Sequence, residues 1–239
     1  MPDATEQADA ARQTDADAPA PVEAPFSRGR LIAAFVVVAV VLALSAFAIG
    51  RFAAPVPRIP PTTSAEAGFA RDMQLHHQQA VELSMLVREL TDDPDVRLIA
   101  YDIALTQAQQ SGQMYGWLSS WGLPQRGEPT MTWMTRPALD GSIHDMASMG
   151  DGTSLKPGDP MPGMAPFDEV QRLEASTGVE AERLYLELMI HHHLGGIEMA
   201  ETVLERTDNP AVVALAQSIV IGQTAELDVL ERLLTDRSP

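Results

Sequence analysis

The 239-residue sequence contains no cysteine. That absence removes disulfide scaffolds, zinc–thiolate sites, iron–sulfur clusters and thiol nucleophiles from consideration. Cationic side chains are scarce: 16 Lys and Arg stand against 33 Asp and Glu, a formal charge of −17. No basic stripe is present to hold a phosphate backbone, which argues against a nucleic-acid partner. An acidic surface either concentrates metal cations or simply keeps the chain soluble. No glycine-rich phosphate loop, nucleophile elbow or zincin motif occurs. Histidine is also rare, with six residues. Without thiolates, a soft metal ion must be held by imidazoles and thioethers, and methionine is plentiful at 12 residues.

The composition changes sharply along the chain. Residues 1–30 open with an Ala/Asp/Pro/Thr-rich acidic stretch with few large apolar side chains, which reads as a disordered tail. Residues 31–50 then carry an uncharged apolar run, LIAAFVVVAVVLALSAFAI. At about 1.5 Å per residue it is just long enough to span a hydrocarbon core of about 30 Å. Arg28 and Arg30 precede it and Arg51 follows it, a bias that places the N-terminus in the cytoplasm and the rest outside. The reading is a single-pass anchor in the cell membrane with an extracytoplasmic C-terminal domain. The alternative is a signal peptide cleaved after Ala46-Phe47-Ala48, which would release a secreted protein. Residues 51–63 form a Pro-rich linker, and a helical domain is expected over 64–237.

Within that domain, capping signals divide the chain. Thr63-x-x-Glu66 predicts the start of a helix over about 65–91. Asp93-Pro94 predicts a second, over about 94–121, stopped by Gly122 and Pro124. Residues 122–165 are dense in Gly, Pro, Met and Asp and carry no regular pattern. Helical pattern resumes near Phe167, breaks at Thr177-Gly178, restarts on Thr177-x-x-Glu180 and reaches about Thr207. Asn209-Pro210 then predicts a last helix to about 235.

The two helical regions are copies. A shift of 116 residues places Met73 on Met189, His76 on His192, His77 on His193 and Glu82 on Glu198. The same shift places Thr91-Asp92-Asp93-Pro94 on Thr207-Asp208-Asn209-Pro210, and Gln107 on Gln223. Two helix pairs with one long connection predict an all-α four-helix bundle. At 100° per residue, Phe69, His76, Ala80, Leu83 and Val87 share one face, with Met73 and Ser84 beside them and His77 at its edge. The equivalent face in the second copy holds Tyr185, His192, Gly196, Met199 and Val203. The duplicated Met-x-x-His-His motifs are thereby expected to face inward and converge.

A buried imidazole needs a partner. Thioether and imidazole one helical turn apart suit Cu(I), whereas calcium or magnesium would want oxygen. Glu82 and Glu198 are candidate acceptors for ring N–H groups, although the helical wheel turns them away from the His76 face. Core histidines that merely hydrogen-bond each other are the competing reading. His191 has Leu75 as its counterpart and is expected to be exposed or peripheral. The connector adds Met131/Met134, Met146/Met149 and Met161/Met164, three Met-x-x-Met pairs with His144 nearby. Methionine usually fills cores, but in a polar, flexible loop it reads as a capture arm for Cu(I).

The two His-His motifs, together with Met161-Pro-Gly-Met164, resemble the repeated signature of the DUF305 family. The resemblance covers about residues 65–237, and Leu194-Gly195-Gly196 departs from it in being smaller than the usual polar-Gly-Ala. It implies an exported, ferritin-like four-helix bundle, with copper bound by some members. By that likeness Met73, His76, His77, Met189, His192, His193, Met161 and Met164 are the candidate metal ligands. The expected function is copper buffering, transfer or resistance, with the metal ion, the membrane and a copper donor or acceptor protein as partners. A cuprous-oxidase-like redox enzyme and a non-metal interaction module are the alternatives.

Overall fold

The computed structural model describes residues 27–53, 59–142 and 156–237. Among these, the chain is all-helical, with six α-helices, one 3-10 turn and no strand. It divides into two compact units, Met1–Pro57 and Arg58–Pro239. Tail residues 1–26, linker residues 54–58, His144 and the Met146/Met149 pair lie outside the described residues.

The first unit holds α1, Arg28–Ala53. The helix extends a few residues beyond the apolar run at both ends. Its most apolar 18-residue window has a mean hydropathy of 3.0, and the helix is long and apolar enough to cross a membrane by length and composition.

The second unit holds α2 (Ala65–Leu90), α3 (Pro94–Ser120), the 3-10 turn Thr132–Thr135, α4 (Phe167–Glu174), α5 (Val179–Leu204) and α6 (Pro210–Thr235). α6 also passes the membrane test by length and composition. It packs along α5, however, and buries Val212, Leu215, Ala216, Ile219 and Leu230. α2 pairs with α3 and α5 with α6, and the two pairs meet chiefly through α2 and α5, while α3 and α6 barely touch. The predicted stripes are the ones buried: Phe69, Met73, His76, His77, Ala80, Leu83, Ser84 and Val87 on α2, and Tyr185, His192, Met199 and Val203 on α5, are all inaccessible.

The caps explain the helix limits. Asp93 accepts from the N–H groups of Asp95 and Val96 at 3.0 and 2.9 Å, and Asn209 accepts from Ala211 at 3.1 Å. In each case proline occupies the first turn, where its missing N–H costs nothing. Two other starts differ from expectation. Ser64, not Thr63, caps α2, because its hydroxyl reaches Ala67 N at 3.2 Å. Thr177 does not cap α5. That position falls to Gly178 at φ 58° and ψ −139°, a conformation open only to glycine, and its N–H donates to Leu90 O at 2.8 Å. α5 ends at Leu204, a turn earlier than the pattern suggested.

The repeat is also visible in reciprocal hydrogen bonds. Thr91, after α2, donates to Glu182 at the start of α5 at 2.5 Å, and Thr207, after α5, donates to Glu66 at the start of α2 at 2.7 Å. Each loop threonine therefore ties the end of one copy's first helix to the beginning of the other's, which requires α2 and α5 to run antiparallel. Both hydroxyls also accept from the N–H two residues on, Asp93 and Asn209.

The described part of the connector next to α3 is held by specific bonds that its composition did not indicate. Asp72, buried in mid-α2, accepts from Met131 N at 2.8 Å and Trp133 Nε1 at 2.9 Å. Desolvation raises its pKa, and the two donors oppose that rise. Trp133 packs edge-on against Phe69 at 5.8 Å, and a side chain at Gly68 would overlap it. Met131 and Met134 are fully buried in the same apolar cluster. Their reading as a capture arm is corrected: the Asp72 anchor draws this part of the loop into the core. Asp72→Ala leaves two buried donors unpaired, each costing about 1–3 kcal/mol. Urea denaturation is expected to show a loss of about 2–4 kcal/mol, against less than about 0.5 kcal/mol for the exposed control Glu89→Ala.

Candidate metal centre

The α2–α5 contact brings all four motif histidines together. His76 and His192 lie with ring centroids 3.8 Å apart and planes 33° from parallel. His77 and His193 flank them, each 6.3 Å from its sequence neighbour, and none of the four is accessible to solvent.

Each ring spends its Nε2 on a specific acceptor. His76 donates to Pro162 O at 3.0 Å and His192 to His76 O at 2.8 Å. His77 donates to Gln110 Oε1 and His193 to Glu226 Oε2, both at 2.7 Å. Carbonyl and carboxylate oxygens only accept, so the proton of each neutral ring resides on Nε2. In a neutral ring Nδ1 is then a bare lone pair, and all four Nδ1 atoms are buried without a hydrogen-bond partner. Leaving a buried acceptor unpaired costs about 1–3 kcal/mol. Four such atoms in one cluster are unusual for a core that only packs.

The environment keeps His76, His77 and His192 neutral. Burial pushes His76 down to about 4, with the His193 ring adding a smaller effect. Burial and then the His76 ring push His77 down to about 3. His192 is held well below the ordinary imidazole value, again by burial first and then by its neighbours. The unfolded chain binds protons below about pH 6.5 that the folded cluster refuses. Stability contributed by the neutral cluster is therefore full above about pH 6.5 and is lost as pH falls toward about 4 and below.

A short segment of the connector straps the centre. Met161–Ala165 lays the Pro162 carbonyl on His76, and Gln79 brackets Ala165 by accepting from its N at 2.7 Å and donating to its O at 2.9 Å. Gly163, at φ 74°, lies against the His191 carbonyl, and a Cβ on Gly195 would collide with the Pro162 carbonyl. A Cβ on Gly196 would strike the Gln223 amide. The small Gly195-Gly196 pair thus has a local reason: strap and glutamine both pack directly on the α5 backbone.

The sulfur atoms are distributed less symmetrically than the imidazoles. Met73 and Met161 share one apolar cluster, with Met164 packed against it, whereas Met189 belongs to the other. His191 is exposed, as the missing counterpart at Leu75 implied. Glu82 is exposed and does not serve the rings; Gln110 and Glu226 hold those positions instead. These two were missed by sequence reasoning, although the 116-residue shift superposes them, one turn beyond the Gln107/Gln223 pair. Among the described residues, no group of three or more His, Asp or Glu side chains forms a ready-made ion cage. What the centre offers instead is the unpaired, buried Nδ1 of each of the four imidazoles.

The sequence matches the family model for DUF305, a domain of unknown function, over residues 66–234. The chain belongs to the DUF305 family. A DUF305 protein of Streptomyces coelicolor is 43% identical, with 74% of this chain and 94% of that chain covered and a TM-score of 0.63. A DUF305 fragment from Deinococcus radiodurans is 33% identical over 74% and 99% of the two chains, with a TM-score of 0.56. CopM in its Cu(I)-bound form is 18% identical over 74% and 99%, with a TM-score of 0.51, a likeness of fold. A comparison with curated proteins returns no match.

Titration of the three depressed histidines contributes up to about 1.4 kcal/mol per pH unit for each group within its window. With a chelator present, urea denaturation at pH 7 and pH 5 is expected to show a loss of at least about 2 kcal/mol at the lower pH. His76→Gln/His192→Gln is expected to flatten that dependence. Equal pH slopes in wild type and variant would contradict buried neutral rings.

Proposed function

We propose that this DUF305 protein is a membrane-anchored, extracytoplasmic copper-binding domain that buffers or transfers copper. The observation that carries the reading is the hydrogen-bond pattern of the four histidines. A metal-binding imidazole characteristically donates its second nitrogen to a carbonyl or carboxylate, which fixes the ring and leaves the other nitrogen for the ion. His76, His77, His192 and His193 each satisfy the first condition at Nε2 and leave Nδ1 unpaired in a buried site. With no thiolate in the chain and with Met73, Met161, Met164 and Met189 as the available thioethers, the donor set fits Cu(I) better than a hard cation.

In this reading the domain is a ferritin-like four-helix bundle whose two copies each contribute Met-x-x-His-His to a shared centre. Met161 and Met164, at either end of the strap segment that covers His76, serve as the outer thioethers. α1 is the anchor, with the domain after it outside the cytoplasm. A copper donor or acceptor protein is the expected partner. The fold likeness to CopM, which has been solved with Cu(I) and with Cu(II) bound, motivates the choice of metal to test first.

The chain's own residues would do three things. Gln110, Glu226, Pro162 O and His76 O hold the rings in orientation. Burial keeps His76, His77 and His192 neutral, so that protons do not compete for their lone pairs near pH 7. The surrounding apolar side chains limit access of water. Competition against a chromophoric Cu(I) chelator measures the outcome on the full chain in detergent. Wild type is expected to withdraw Cu(I) from the chelator, and His76→Gln/His192→Gln, with its helical content checked, to lose at least about 100-fold in affinity. Unchanged affinity in the variant would move copper binding away from the centre, and no withdrawal by wild type would refute the reading.

A further inference from the structure

The duplication supplies an internal comparison for the outer surface of the domain. On α3, Leu98, Tyr101, Leu105, Ala108, Gly112 and Tyr115 are spaced three and four residues apart, and all are exposed, the Leu and Tyr residues by 45–60%. At that spacing they form one seam along the helix. The 116-residue shift carries the same six positions onto Ala214, Gln217, Ile221, Thr224, Asp228 and Glu231 of α6, which are exposed as well. The fold therefore asks only for an exposed residue at each place. α6 answers, Ile221 apart, with small or polar side chains. α3 answers with two leucines, two tyrosines and two small residues.

Charge is missing from the same region. From Ile103 to Gln125 no residue is charged, in a chain with a formal charge of −17. Gly112 and Gly116 lie one turn apart in mid-helix, where each glycine costs about 0.5–1 kcal/mol relative to alanine. A Cβ at either would meet nothing within 4 Å, so no described part of the chain needs them small. Single apolar residues on a surface need no explanation, but a continuous apolar seam marks a contact.

The seam is complementary to a second copy of itself. Run antiparallel, with Leu105 of each chain against the partner's Ala108, it sets Tyr101 against the partner's Gly112 and Leu98 against the partner's Tyr115. The large side chains at the middle of the contact thus meet small ones. A parallel pairing would stack Leu105 on its own copy, leave two glycines face to face and bring the exposed Asp95 and Asp102 beside their counterparts. The antiparallel pairing sends those acids toward the far end of the partner helix. There Arg126 is exposed in a groove shared with Leu75 and Tyr115, and Glu128 is already paired with Arg136 at 2.6 Å. Opposed helix dipoles favour the same direction. From Leu98 to Tyr115 the seam is about 25 Å long at about 1.5 Å per residue and one helix wide, at the small end for a specific interface. The association is therefore weak and reversible.

We propose that α3 is a self-association face through which two copies of this chain pair antiparallel, about a two-fold axis between the Leu105 and Ala108 layers. The pairing does not depend on the copper-binding reading. It sets the two α3 helices, each with the Gln110 that orients His77 on its inner side, between the two histidine centres.

Sedimentation velocity of the full chain in detergent, without metal and across a wide range of concentration, tests the pairing. Wild type is expected to pass reversibly from monomer to dimer. Leu105→Glu puts a charge in the middle of the seam and is expected to weaken dimerisation at least about thirtyfold, as a change at a central contact residue does. Ile221→Glu makes the same change at the repeat-related position of α6 and is expected to leave dimerisation within about twofold of wild type. Both positions are exposed, so both variants are expected to keep the helical content and melting temperature of wild type. The absence of cysteine lets the register be read directly. Differently tagged Leu105→Cys and Ala108→Cys chains are expected to join in a mixed disulfide dimer under mild oxidation, and Leu105→Cys with Thr224→Cys are not. A wild type that stays monomeric would overturn the proposal. So would a dimer that Leu105→Glu leaves intact, which would place self-association elsewhere, for example in α1. Equal weakening by Ile221→Glu would reveal an effect of charge alone and would overturn it too.

Discussion

The centre depends on where four imidazole protons reside. Each Nε2–H is committed to an oxygen at 2.7–3.0 Å, and this fixes four lone pairs on the other side of the rings. The acceptors come from four different places: the strap at Pro162, the α2 backbone at His76, α3 at Gln110 and α6 at Glu226. Ring orientation is therefore a property of the whole domain. Removing α3, α6 or the strap would free a ring to rotate and to satisfy its own Nδ1. Burial adds the second constraint, because a ring that cannot be protonated near neutral pH keeps its lone pair.

Duplication is the economical way to reach this arrangement. One helix pair supplies two histidines and one side-chain acceptor, its copy, run antiparallel, supplies the same again, and the carbonyls of Pro162 and His76 complete the set. The Thr91–Glu182 and Thr207–Glu66 bonds lock the copies in register at both ends of the α2–α5 contact, and His76 and His192 meet between them. The symmetry is broken where chemistry differs. Gln110 is neutral and Glu226 carries a carboxylate, and the strap lies on the nitrogen of His76 and not on that of His192. Ala80 on α2 becomes Gly196 on α5, which admits the Gln223 amide against the backbone.

Much of this was legible in the sequence because it is local. Asp93-Pro94 and Asn209-Pro210 are cap signals, and helical periodicity placed Phe69, His76 and Leu83 on one buried face. Gly178 was not legible as a cap, since its role depends on a hydrogen bond to Leu90 across the fold. Nor was the Asp72 anchor: a carboxylate in mid-helix reads as a solvated face until Met131 and Trp133 are seen donating to it. For the same reason Met131 and Met134 looked like a mobile pair. The acceptors of the histidines escaped notice because they are 33 to 116 residues away in sequence, and two of them are main-chain carbonyls with no side-chain signature.

The most direct measurement is ¹⁵N NMR of the histidine rings, recorded near neutral pH first with chelator and then with one equivalent of Cu(I). The expected result is that four of the six imidazoles are neutral Nε2–H tautomers, with Nδ1 signals that shift on addition of the metal. Rings that are protonated, that carry the proton on Nδ1, or whose Nδ1 signals are unmoved by Cu(I) would contradict a centre built on four free lone pairs.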